Sequence, residues 1–100
     1  MGVTYHVYIL ASRPNGTLYI GIKNNLALRL SQHKGGHGSE FARRYSISRL
    51  VHVESYDRPS DAILREKQLK KWNRAWKIEL IEKDNPEWRD LSDFAVSGIS

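Results

Sequence analysis

The chain has 100 residues, 40% of them apolar, and 16 Lys and Arg against 11 Asp and Glu give a net charge of +5 with a sequence pI near 9.7. That length allows one domain with one core. No apolar run approaches the roughly 20 residues of a membrane span, and the opening Val-Thr-Tyr-His-Val-Tyr-Ile-Leu is too short and too polar for a secretory signal. Without cysteine, disulfides, thiolate zinc sites and thiol nucleophiles are excluded together and a cytoplasmic protein is the default, while the positive charge favours an anionic partner, nucleic acid or an acidic surface.

Val3, Tyr5, Val7 and Ile9 alternate with Thr4, His6, Tyr8 and Leu10, which predicts a first strand. Arg13-Pro14-Asn15-Gly16 is turn chemistry, so a second strand is expected to fold back on the first as a hairpin. In that second run Leu18, Ile20 and Ile22 lie to one side, and Thr17, Tyr19 and Gly21 to the other. Tyr8 and Tyr19 then stand on adjacent antiparallel strands. Gly21 lets the backbone come close to whatever sits in front of that face.

The strand pattern gives way at Asn24-Asn25, and Asn25 suits the N-cap of a helix that starts at Leu26 and ends near His33. Arg29 and His33, four residues apart, share one face of it. A phenol, a guanidinium and an imidazole beside a glycine suit a phosphate. An ordinary solvated helix face would account for Arg29 and His33 as well.

Lys34-Gly35-Gly36-His37-Gly38-Ser39 is an irregular connection, not a phosphate-binding loop of the Gly-x-x-x-x-Gly-Lys type. Phe41 to Tyr45 predicts a short helical turn. Its Arg43 and Arg44, beside aromatic rings, could track a nucleic-acid backbone or form a solvated basic turn. Leu50 to Tyr56 predicts a third strand, with Val51 and Val53 facing one way and His52 and Glu54 the other.

Pro59-Ser60-Asp61 signals the start of a helix expected from about Ser60 to Trp72. At 100° per residue Ala62 and Leu69 fall within about 20° of one another, Ile63 lies about 100° from Ala62, and Glu66 sits between them. A carboxylate thus interrupts the apolar face. Burying a charge costs several kcal/mol unless it is paired or holds a metal. Glu66 is therefore either salt-bridged, to Arg29 or to a lysine, or functional. Lys67, Lys70, Lys71 and Arg74 fill a separate arc of about 100°. Asn73 can end this helix and cap the next, whose apolar positions are Ala75, Trp76, Leu80 and Ile81. A short Trp88-containing turn follows Asp84-Asn85-Pro86. Residues 1–94 are expected to form the domain and 95–100 a disordered tail. The fold class is α/β, in the α+β sense: a small, mainly antiparallel three-stranded sheet flanked by helices, in the order β-β-α-(α)-β-α-α.

Tyr8, then Tyr19-Ile20-Gly21 eleven residues later, then Leu26-x-x-Arg29-Leu30-x-x-His33, then Arg65-Glu66-Lys67 on a later helix, together resemble a GIY-YIG nuclease domain. The likeness is greatest to the small stand-alone members that are similar to the N-terminal nuclease domain of the bacterial excision-repair nuclease, and it runs from about Tyr5 to Ile81. The second signature is intact. The first keeps only the tyrosine of Gly-Ile-Tyr, as His6-Val7-Tyr8.

The resemblance implies that Tyr8 and Tyr19 are paired active-site phenols, Tyr8 as general base and Tyr19 orienting the water. It implies that Arg29 faces the scissile phosphate with His33 beside it, and that Glu66 holds a divalent metal, Mg2+ or Mn2+. An asparagine found in some members has no clear counterpart, since Asn73 and Asn85 both fit poorly. Phosphodiester hydrolysis needs an activated water and charge to stabilise the crowded phosphorus, and these residue types supply both. Lys34, Arg43, Arg44, Lys67, Lys70, Lys71 and Arg74 would contact the nucleic-acid backbone.

The expectation is a metal-dependent endonuclease acting on nucleic acid, with DNA as the expected substrate and repair or recombination as the setting; the residues by themselves leave DNA and RNA both open. The alternative is a non-catalytic nucleic-acid-binding module that keeps the fold. An interaction domain without a ligand would explain the charge but not Glu66. No membrane partner is expected. A chain this short has no separate specificity domain, so specificity should come from substrate shape or from a partner protein.

Overall fold

The computed structural model describes residues 4–24 and 47–92. Strands β1 (Tyr5–Ala11), β2 (Leu18–Lys23) and β3 (Arg49–Tyr56) precede helices α1 (Pro59–Lys71) and α2 (Arg74–Asp84). The helix expected from Leu26, the glycine-rich connection, the turn at Phe41 to Tyr45 and the tail at 95–100 lie outside the described residues.

The strand order is β2-β1-β3, antiparallel on both sides of β1. The hairpin forms where Pro14-Asn15-Gly16 predicts it. The Gly16 N–H donates to the Arg13 carbonyl at 2.9 Å, and Asn15 takes a left-handed φ of 58°, which asparagine tolerates better than most residues. The register sets Tyr8 opposite Gly21 and Leu10 opposite Tyr19. All four side-chain positions therefore fall on one face.

Between β1 and β3 the pairing slips from Ile9↔His52 to Leu10↔Leu50, so Val51 is the extra residue of a β-bulge. The bulge corrects the expected alternation of β3. Val51 packs into the core on the helix side, with Val7, Ile9, Ala11, Ile20, Ala62, Leu69, Ile81 and Trp88. Val53 packs on the opposite face, against Tyr8, Leu10, Ile47 and Leu50. With core on both sides, β1 is buried from His6 to Ala11, as its near-continuous apolar run requires.

Pro59 stands in the first turn of α1, where its missing N–H costs nothing, and Lys70 and Lys71 in the last turn complement the helix dipole. The helix buries Ala62 and Leu69. Ile63 and Leu64 are exposed, so the apolar stripe is narrower than the sequence pattern suggests. Asn73 caps α2, its side-chain oxygen accepting from the Trp76 N–H at 2.8 Å. That cap sets the helical phase. Ala75 and Trp76 turn outward instead of inward, and Ile81 is buried, with Ile78 and Leu80 packed against the same core.

After α2 the chain returns to β3. The buried Asn85 donates through Nδ2 to the Val51 carbonyl at 3.2 Å and the Arg89 carbonyl at 2.9 Å, and accepts from the Arg89 N–H at 3.0 Å. Trp88, buried at a φ of 56°, donates its indole N–H to Glu82 at 2.8 Å. Among the described residues no helix is long and apolar enough to cross a membrane.

Candidate active site

Along the β2 edge of the sheet, four elements converge. Tyr8 comes from β1, Tyr19 and Gly21 from β2, Glu66 and Lys70 from α1, and Lys77 from α2; with Leu18, Ile20 and Ile22 they line an open cleft of about 440 Å3. The pleat puts both phenols on one side of the hairpin, and the fourfold spacing of Glu66 and Lys70 puts both on one side of α1.

Gly21 has a specific reason to be glycine. A Cβ built there would stand 2.5 Å from Tyr8 Oη and 2.6 Å from Tyr8 Cζ. The close neighbour that its bare backbone admits is thus the phenol of Tyr8, lying across it. Tyr8 is only 1% exposed, whereas Tyr19 is half-buried.

The Glu66 side chain is 17% exposed, and Lys70 Nζ lies 3.4 Å from its Oε2, one turn along the helix. Among the described residues Lys70 is the salt-bridge partner of Glu66, and Arg29, the other partner the sequence offered, lies outside them. The lysine is itself half exposed, so the pair is screened and weakly held, worth at most about 1 kcal/mol. Among the described residues no group of three or more His, Cys, Asp or Glu could hold a metal. Among the described residues the oxygen-bearing side chains that line the cleft are one carboxylate and two phenols. Such a sparse set of hard oxygens suits magnesium or manganese, which keep several waters, and not the closed nitrogen and sulfur shell of structural zinc.

On β3, the opposite edge strand of the sheet, is a polar cluster that the sequence did not reveal. The Glu54 carboxylate receives Arg65 Nε at 2.8 Å and Nη2 at 3.0 Å, the Tyr56 hydroxyl at 2.6 Å, and pairs with His52 Nε2 at 2.8 Å. Burial pushes the Glu54 carboxyl up, but the hydrogen bonds from His52, Arg65 and Tyr56 outweigh it and hold the group well below the usual carboxylate range. Burial and the neighbouring carboxylate push the Tyr56 phenol up to about 12. The Arg65 guanidinium also lies 5.1 Å from the Trp72 ring centroid and donates to Gln68 at 2.7 Å. This cluster fastens α1 to β3 at the residue before Glu66, and so fixes the rotation that turns Glu66 to the cleft. The only sequence signal for it is the alternation of His52, Glu54 and Tyr56 on one strand.

Other expected site residues are placed differently. Arg74 donates through Nη2 to the carbonyls of Asn15 at 2.7 Å and Gly16 at 2.6 Å, tying α2 to the hairpin turn. Lys67 and Lys71 are exposed on α1 and do not line the cleft. Neither Asn73, which caps α2, nor Asn85, which is spent on backbone groups, lines it. Arg29, His33, Lys34, Arg43 and Arg44 lie outside the described residues. Lys77 was not singled out from the sequence. His6, where the first signature departs from glycine, is 2% exposed and neither ring nitrogen completes a hydrogen bond. Burial lowers its pKa, and the nearby Lys23 backbone offsets only part of that.

The sequence pattern of the GIY-YIG catalytic domain matches residues 4–79. A UPF0213 protein of Syntrophus aciditrophicus is 41% identical over 83 residues, which are 82% of this chain and 93% of that one. One of Natronomonas pharaonis is 36% identical over 81 residues, 81% of this chain and 94% of that one. The solution NMR structure of a UPF0213 protein from Bacillus halodurans has the same fold, with a TM-score of 0.56 at 23% identity, covering 92% of this chain and 97% of the other.

Proposed function

The chain belongs to the GIY-YIG family of nuclease domains, and on that footing we propose that it is a divalent-metal-dependent endonuclease hydrolysing phosphodiester bonds in DNA. The observation that carries the proposal is the meeting of Tyr8, Tyr19 and Glu66 in one open cleft. Glu66 would hold magnesium or manganese, which when bound polarises a phosphate oxygen and acidifies a bound water.

The protein's own groups do the rest. Tyr19, the more accessible phenol, is the general base toward the attacking water. Tyr8, buried against Gly21, orients that water, which exchanges the roles that the family resemblance implied. The water oxygen bonds to phosphorus while one phosphorus–oxygen ester bond breaks, leaving a phosphate monoester and, once the leaving oxygen is protonated, an alcohol. Lys70, loosely paired with Glu66, can turn to the phosphate. Lys67 and Lys71 extend the positive surface along α1. Arg29 is assigned to the phosphate, with His33 beside it, and Lys34, Arg43 and Arg44 to the backbone. The setting would be the cytoplasm, on DNA whose shape arises in repair or recombination, or with a partner protein that supplies specificity.

The burial of Tyr8 is the one observation that favours a second function, a binding module without turnover. A cleavage panel of duplex, single-stranded, flap and junction DNA, with matched RNA, separates the two. We expect at least one DNA substrate to be cut with magnesium or manganese and none after chelation. Binding across the panel without cutting would leave only the second function. In either case log affinity should fall with log salt, with a slope of roughly 0.9 per phosphate neutralised.

A further inference from the structure

Three cationic side chains of the helices reach toward the hairpin, and two have partners. Lys70 is paired with Glu66 at 3.4 Å, and Arg74 is bonded to the carbonyls of Asn15 and Gly16. Lys77, half-buried in the wall of the cleft, has no side-chain hydrogen bond or ion pair among the described residues. It is the fourth residue of α2, and the first turn of that helix carries no acidic residue. A cation there faces the positive end of the helix dipole, where it is disfavoured. Removing a charge partly from water with no counter-charge costs free energy too. An anion entering the cleft offsets both costs.

Resting on the nuclease function above, we propose that Lys77 is a catalytic residue, its Nζ donating to a non-bridging oxygen of the scissile phosphate. Among the described residues, the carboxylate that would hold the metal and the two phenols leave the α2 side of the cleft without an anion donor. Lys77 fills it. Its charge is most useful as negative charge builds on the phosphate oxygens during attack, so its contribution should appear in the rate of the chemical step more than in affinity.

The test compares wild type, Lys77→Met, Lys77→Arg and, as a control on the exposed end of α2, Lys83→Met. Single-turnover cleavage is measured with magnesium at saturating protein, and equilibrium binding of the same DNA with calcium in its place. Methionine keeps the length and apolar stem of lysine, and thermal melts check that each variant is folded. We expect Lys77→Met to cut about a hundredfold more slowly, as when one preorganised transition-state donor is removed, while its affinity changes far less. Lys77→Arg should recover part of the rate and Lys83→Met should match wild type. Wild-type speed in Lys77→Met, a loss carried wholly by affinity, or an equal loss in Lys83→Met would each overturn the assignment. A wild type that cuts nothing would overturn the nuclease function and this role together, whereas an active wild type beside an unimpaired Lys77→Met overturns this role alone.

Discussion

Gly21→Ala probes the contact on which the hairpin side of the cleft is built. The new methyl would meet Tyr8 Oη at 2.5 Å and Cζ at 2.6 Å, about 1 Å inside ordinary van der Waals separation. A surface tyrosine would swing away. Tyr8 is 1% exposed and packed with Leu10, Ile47 and Leu50, so relief requires moving a filled core. Overpacking of that kind costs about 1–3 kcal/mol, and the rigid, enclosed ring places this case in the upper part of the range. Replacing glycine within a strand returns about 0.5–1 kcal/mol of backbone entropy. The net expectation is a loss of about 2 kcal/mol, or on the order of 10 °C in Tm for a domain of this size. Urea unfolding should show a lower midpoint at unchanged m-value. In a Tyr8→Leu background, where the ring is gone, the same substitution should be neutral or stabilising, and the coupling energy isolates the contact. A Gly21→Ala cost under about 0.5 kcal/mol, within the range of an ordinary surface change, or an equal cost in both backgrounds, would refute the argument.

His6→Phe should raise stability by about 1–2 kcal/mol, because it removes two buried nitrogens that complete no hydrogen bond; a loss in urea unfolding would reveal a partner for the imidazole. Glu54, with its folded pKa depressed, contributes stability that is present above its ordinary value of 4.5 and lost as pH falls below it. Stability measured from pH 6 downward should therefore fall through that window (~4.5 and below), and Glu54→Gln, already weaker at neutral pH, should show a flatter acid limb. Tyr56 behaves oppositely: its raised pKa contributes stability that is complete below 10.0 and lost as pH climbs toward about 12. Tyrosine absorbance in wild type and Tyr56→Phe should identify one phenol titrating late, and its absence would contradict the Glu54 contact.

The hairpin was legible because Pro14-Asn15-Gly16 is local chemistry, acting within a few residues. Glu66 was legible because a carboxylate on an apolar helical face is anomalous whatever the tertiary structure, and its lysine partner lies one turn away. The bulge at Val51 was not, since a one-residue slip is decided by packing on both faces of the sheet and leaves no mark in the alternation of β3. The phase of α2 departs from its sequence pattern for a related reason. Two large apolar residues, Trp72 and Trp76, meet edge to face at 5.8 Å near the surface, so Trp76 could be left 55% exposed while Ile78 and Ile81 turn inward. That rotation also brings Lys77 into the cleft, although in the sequence it resembles one more solvated cation. The Glu54 cluster joins groups on β3 to Arg65 eleven residues later, a pairing that only the docking of α1 creates. The unequal burial of Tyr8 and Tyr19 likewise depends on which strand is central, and that order is a property of the assembled sheet.

Glu66 is the residue on which metal-dependent cleavage depends most directly, and the decisive measurement is the rate of DNA cleavage by Glu66→Gln beside wild type, across a titration of magnesium and manganese. Its ion-pair partner Lys70 is half exposed, so losing the pair should change stability by less than about 1 kcal/mol. The variant should melt with the wild type in the absence of metal and bind the same DNA. We expect metal-dependent cutting by wild type and none by Glu66→Gln at any metal concentration. Cleavage by Glu66→Gln at the wild-type rate, or no cleavage by wild type with either metal, would contradict that expectation.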